Sequence, residues 1–130
     1  MADAVTSITL LNTPKRLVMK FLNRSDGTGE SNVVKVDKST YTGTNGLEPS
    51  YFRIDKISYN VFGMEVLISI DNTSDQNLFR LQNGSDTLDF REFGGISTSG
   101  TGDTGDILFT TNGHTAADTY DITLYLEKIP

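Results

Sequence analysis

Hydrophobic and polar residues alternate with a period of two along most of this chain. Ile122, Leu124 and Leu126 interleave with Thr123, Tyr125 and Glu127, and Val66, Ile68 and Ile70 interleave with Glu65, Leu67 and Ser69. Ile57, Tyr59 and Val61 form a third set, and Leu17, Met19 and Phe21 a fourth. Side chains of a strand point alternately to its two faces, so each set marks the inward face of a half-buried strand. Shorter strands are predicted over residues 7–11, 32–37, 78–81, 87–90 and 106–111. No stretch of about ten residues or more carries the 3.6-residue apolar period of a helix.

Turn formers separate these runs. Asn83-Gly84 lies between two apolar segments, and a dipeptide that tolerates positive φ there predicts a hairpin joining residues 78–81 to 87–90. Phe62-Gly63, flanked by Val61 and Met64, predicts a second hairpin, and Asp26-Gly27-Thr28-Gly29 another turn. Pro14 and Pro49 fall at strand starts or in loops, where a missing N–H costs little. Roughly eight or nine short strands with frequent turns predict an all-β chain: a single-domain antiparallel β-sandwich or a jelly-roll-like barrel over residues 1–130. Residues 42–46 and 97–105 are small and polar and read as surface loops, and residues 1–6 read as an N-terminal arm.

Composition narrows the function classes. The chain has 130 residues, no cysteine, no tryptophan and a net charge of −6. The absence of cysteine removes disulfides, thiolate metal sites and cysteine nucleophiles. Net negative charge repels phosphate backbones and anionic lipid surfaces, so neither a nucleic-acid nor a membrane partner is expected. No apolar run approaches the roughly 20 residues that span a bilayer. The first residues, Met1 to Ser7, carry neither the basic region nor the apolar core of a signal peptide, so synthesis in a cytoplasm is expected.

Candidate chemistry is sparse. His114 is the only histidine and sits in Asn112-Gly113-His114-Thr115, a turn sequence with no second His to build a zinc site. Asp71-Asn72-Thr73-Ser74-Asp75-Gln76-Asn77 places oxygen side chains at alternating positions, like the first half of a calcium loop. Gln76 stands where that loop needs glycine and Gln82 where it needs glutamate, so a polar connection is the expected reading. Asp103 and Asp106 would join a cation site only if the fold brought them near Asp71. Gly100, Gly102 and Gly105 are followed by Asp106 and Ile107, which is not a phosphate loop. No Gly-x-Ser-x-Gly elbow occurs, and Glu92 between Phe90 and Phe93 is the nearest approach to a glycosidase acid. No enzyme activity, cofactor or metal is expected. Exposed aromatics suggest binding instead: Tyr51, Phe62 and Tyr125 are candidates, with Phe52 expected in the core. Tyr125 and Leu67, if outward on neighbouring strands, would form an apolar interface patch.

Several segments, in order along most of the chain, resemble a family of small structural proteins of tailed bacteriophages. They are Thr13-Pro14-Lys15-Arg16-Leu17-Val18-Met19-Lys20-Phe21, Asp26-Gly27-Thr28-Gly29-Glu30, Ile57-Ser58-Tyr59-Asn60-Val61 and Gly63-Met64-Glu65-Val66. Phe90-Arg91-Glu92-Phe93-Gly94-Gly95-Ile96, Gly105-Asp106-Ile107-Leu108-Phe109-Thr110-Thr111 and the closing run from Tyr120 to Lys128 complete the pattern. The resemblance implies a virion component, a decoration (cement) protein on the capsid exterior that binds the major capsid protein. It also implies a homo-oligomer such as a trimer, and no catalytic residues. Ala2, Asp3, Ala4, Val5 and Thr6 are the expected arm, ordering on the capsid or adding to a neighbouring sheet. The alternatives are a neck, tail or fibre module binding another virion protein or a host glycan, and an unrelated carbohydrate-binding or hydrolytic sandwich. The lack of tryptophan weighs against glycan platforms, and the lack of a predicted helix against a tail-tube subunit.

Overall fold

The structure, a computed structural model, describes residues 4–24, 30, 33–43, 46–70, 76–97, 106–112 and 118–129. The alternating runs form strands. These are β1 (Ala4–Asn12), β2 (Arg16–Arg24), β3 (Val33–Val36), β4 (Tyr51–Phe62), β5 (Glu65–Ile70), β6 (Gln76–Leu81), β7 (Gly84–Asp89), β8 (Ile96–Ser97), β9 (Ile107–Asn112) and β10 (Thr119–Ile129). They make two antiparallel sheets. The larger runs β1-β2-β10-β4-β7 with the short β8 beside β4, and the smaller runs β3-β9-β5-β6. Among the described residues the only helical turns are two three-residue 3-10 turns.

The predicted inward faces meet between the sheets. Leu17, Met19 and Phe21 of β2, Ile57 and Val61 of β4 and Ile122, Leu124 and Leu126 of β10 are buried from one side. Val66 and Ile68 of β5 with Ile107 and Phe109 of β9 are buried from the other. Phe21 meets Phe109 edge-on across the gap at 5.3 Å between ring centroids, and Phe109 meets Tyr120 at 5.8 Å. Each such side chain removed from water contributes about 1.5–3 kcal/mol, which is what drives the two sheets together.

The order β2-β10-β4-β7 facing β3-β9-β5-β6 is that of two interlocked Greek keys, a jelly roll, with β1 and β8 added to the larger sheet. The two sheets stay separate, so the chain is a sandwich and not a closed barrel. In each successive pair, β2/β3, β4/β5, β6/β7 and β9/β10, one strand lies in each sheet. Both predicted hairpins are corrected by this. Residues 78–81 and 87–90 do not pair: β6 pairs with β5, and β7 with β4. The Phe62-Gly63 turn likewise carries the chain from one sheet to the other. Each strand has one apolar face, and crossing the gap lets both faces bury in one core. The two corners are tied together, because the Gly63 N–H donates to Asn83 Oδ1 at 2.8 Å. Gly63 has φ +80°, and a Cβ there would run into the Asp118 carboxylate, so only glycine fits.

A polar network is buried at one end of the sandwich. Glu30 Oε1 accepts from Asn23 Nδ2 at 3.1 Å and from the Tyr120 hydroxyl at 2.5 Å, and Oε2 accepts from Lys35 Nζ. The Glu30 N–H donates to Thr111 Oγ1 at 2.8 Å. At the other end Lys128, 3 % exposed, donates from Nζ to Asn12 Oδ1 and to the Thr42 carbonyl. Burial lowers its pKa.

Candidate functional site

Cross-strand register lays out the outer face of the larger sheet. Residues directly opposite in antiparallel strands share a face, and Met19 and Phe21 point inward, so Val18, Lys20 and Leu22 point outward. One outward row runs Leu11, Val18, Tyr125, Lys56 and Asp89 across five strands. The next runs Ile8, Lys20, Thr123, Ser58 and Thr87. The face is therefore divided. Leu11, Val18 and Tyr125 make an apolar corner beside β1, while the next row sets Ile8 at its edge and then Lys20, paired with Asp121 at 3.3 Å, and the hydroxyls of Thr123, Ser58 and Thr87.

Two bulges shape that corner. Register slips between Thr9 and Leu11 in β1, leaving Leu10 extra, and between Tyr125 and Leu126 opposite β4, leaving Asp55 extra. Bulges bend a strand and re-aim its side chains. Between these two lies a hollow of about 280 Å³ with Leu11, Val18 and Tyr125 in its floor and Arg16, Asp55, Lys56 and Arg91 on its rim. Gly95 (φ +85°) closes over Arg53 and Asp55 so tightly that a Cβ would meet both side chains.

The rim charges are held unequally. Arg91 grips Asp89 through two parallel bonds, Nη2 to Oδ2 at 2.6 Å and Nε to Oδ1 at 3.0 Å, and its backbone N–H adds a third. Those bonds hold the Asp89 carboxyl down to about 2. Arg16 Nη1 lies 3.5 Å from Asp55 Oδ2. Burial, with Glu127 nearby, raises the Asp55 pKa against the pull of Arg16, Arg53 and Arg91. Lys56 makes no ion pair among the described residues; its Nζ stands over the Tyr125 ring, 5.2 Å from the centroid. The hollow thus combines an apolar floor and an aromatic anchor with two arginines that are each paired to a carboxylate, Arg16 to Asp55 and Arg91 to Asp89, and one lysine, Lys56, with no ion pair among the described residues.

The predicted site residues are dispersed by the fold. Tyr125 does face outward and forms part of the floor. Leu67 also faces outward, but from the smaller sheet beside Leu78 and Arg80, so the expected patch joining Tyr125 to Leu67 does not exist. Adjacency in that patch required both strands in one sheet, and β5 and β10 belong to different ones. The arm over residues 1–6 is also revised. Ala4, Val5 and Thr6 pair with Arg24, Asn23 and Leu22 as the start of β1, while Ala2 and Asp3 lie outside the described residues. Phe52 is buried and Phe62 is 67 % exposed. His114, Asp71 and Asp103 lie outside the described residues, and among the described ones no group of three or more acids or histidines is placed to hold a metal. Glu92 is exposed in a short turn.

Sequence reading missed Arg16, Asp55, Lys56 and Arg91, and missed that β1 is an edge. Every described side chain of β1 is exposed, including Ile8 at 39 %, Leu10 at 54 % and Leu11 at 43 %. Val33 and Val34 are exposed on β3, the edge of the other sheet next along the chain from β2. Comparison with protein-family models, with curated proteins and with solved structures gives no match to this chain.

Proposed function

We propose that this chain is a structural protein of a phage virion, a decoration protein that docks on the outside of the capsid lattice and stabilises it. The observation that carries the reading is the outward apolar corner of Leu11, Val18 and Tyr125 with its cationic rim. A rigid aromatic in a shallow apolar hollow is the usual anchor of a protein interface, and surrounding charges select the partner. Here Lys56, beside two arginines whose charges are met by Asp55 and Asp89, favours an acidic group of the lattice protein. The fold supports the same reading, since a jelly roll holds its outer faces rigid, although fold alone does not fix function. Net negative charge keeps unassembled copies soluble, and many copies on one lattice turn weak contacts into avid ones.

The test is co-sedimentation of the purified protein with capsid shells of its source phage, beside tails from the same preparation. Saturable binding to shells with a gain in their heat resistance is expected. Lys56→Glu, which reverses the unpaired rim cation, should weaken that binding while leaving the fold intact. Binding to tails alone would replace this reading with a neck or tail module, and binding to neither would discard both.

A further inference from the structure

We propose that two copies of this chain pair through β1, antiparallel about a twofold axis, so that the larger sheets of both become one continuous sheet. β1 is a nine-residue strand at the end of its sheet, with β2 on one side and, among the described residues, no strand on the other. Its free side therefore presents a row of unpaired backbone N–H and C=O groups.

The strand gains little from the single chain. Fixing backbone costs about 1–2 kcal/mol per residue, and burial is what ordinarily offsets it. No described side chain of β1 is buried, and three of them are Ile8, Leu10 and Leu11. A second strand laid along the free edge before the bulge would complete the backbone pairing there and pack beside Ile8, leaving Leu11 to the hollow.

A second copy is the occupant that fits. An antiparallel strand pair about a twofold is self-complementary, each edge offering what the other lacks. The strand Ala-Val-Thr-Ser-Ile-Thr-Leu-Leu-Asn carries no charge, although the chain carries −6, so pairing it with itself sets no like charges face to face. Lys128 reaches the far end of the strand through Asn12, beyond the bulge, and the formal charges flanking the rest of it are Arg16, Lys20 and Arg24 on β2. In the pair, the two β2 strands stand three strand spacings apart, about 14 Å, beyond the roughly 10 Å screening length at ordinary salt. Neither Lys nor Pro, which keep edges single, occurs in the strand, and its one such device is the bulge at Leu10. The Leu10 bulge confines regular pairing to the part of the strand before it.

Sedimentation equilibrium of the full chain between about 1 and 200 µM tests this, with no capsid present, so its result is separate from that of the docking assay. A monomer–dimer equilibrium is expected. Thr6→Lys and Ile8→Lys, both in the segment before the bulge, should each raise the dissociation constant at least about tenfold, while Phe62→Lys, at an exposed apolar side chain elsewhere, leaves it unchanged. A monomer at every concentration, a trimer, or a dimer indifferent to both β1 lysines would overturn the proposal. If a lysine unfolds the strand, amide exchange on the unaltered chain decides. Protection of residues 5–9 that grows with concentration supports the pairing, and protection independent of concentration refutes it.

Discussion

Lys35→Met should destabilise the chain severely, because it strands a buried carboxylate. The Lys35 and Glu30 side chains are 3 % and 5 % exposed. Glu30 Oε1 keeps its neutral donors, Asn23 and Tyr120, but Oε2 loses its ammonium partner. Breaking one side of a buried pair costs about 3–5 kcal/mol, since the remaining charge cannot return to water without opening the core. For 130 residues the unfolding entropy near the midpoint is roughly 0.27 kcal/mol/K, so the expected drop in Tm is about 10–20 °C. The Lys35→Met/Glu30→Gln double variant removes both charges and should recover most of that loss, leaving a coupling of several kcal/mol in the cycle. Thermal melts followed by circular dichroism measure all four corners. A single-variant loss below about 1 kcal/mol, or a double variant no better than Lys35→Met, would show that water reaches Glu30 and that the network is not the closed unit described.

Gly63→Ala should lower stability by a few kcal/mol, as about 1 kcal/mol of left-handed backbone strain adds to the collision with Asp118; denaturant titration reads it. Asp89→Asn should destabilise at neutral pH through loss of the Arg91 grip. The folded Asp89 pKa, about 2, lies below its unfolded value, so this stability is present above pH ~4 and is lost as pH falls through about 2. Melting curves of wild type and variant should therefore converge in acid, and a gap that persists at pH ~2 would contradict the assignment. Tyr125→Ala should weaken shell binding at least about tenfold with a change in Tm of only a few degrees, because the ring is partly exposed on the outer face; equal binding would remove the hollow as the docking site.

The strands were legible because their signal is local. Leu17, Met19 and Phe21, or Ile122, Leu124 and Leu126, declare one face without reference to anything distant, and those faces are the core. The corners were not legible. Asn83-Gly84 permits a tight turn, yet whether the next strand pairs or crosses the gap depends on what lies across that gap. Tyr125 was visible as an outward aromatic, but its neighbours Val18, Leu11 and Lys56 come from three other strands and are set by register. The bulges at Leu10 and Asp55, which shape the hollow, leave no mark in the alternation pattern strong enough to distinguish them from strand ends. The buried Glu30–Lys35 pair was hidden for a different reason, since Glu30 stands in a polar run and Lys35 at the polar position between Val34 and Val36, and both read as surface.

The place of β10 in the larger sheet governs how this chain can be made. The last described strand in chain order lies between β2 and β4, supplying Tyr120, Ile122, Leu124 and Leu126 to the core. A ribosome adding about 5–20 residues per second exposes β2 and β4 for seconds before their common partner exists. Until then both strands have an open backbone edge and an apolar face with nothing between them. Folding must therefore wait for release of residues 119–129 and proceed as one late event rather than strand by strand. A truncation within β10 is therefore expected to leave β2 and β4 without their common partner and to give an aggregating product instead of a smaller domain.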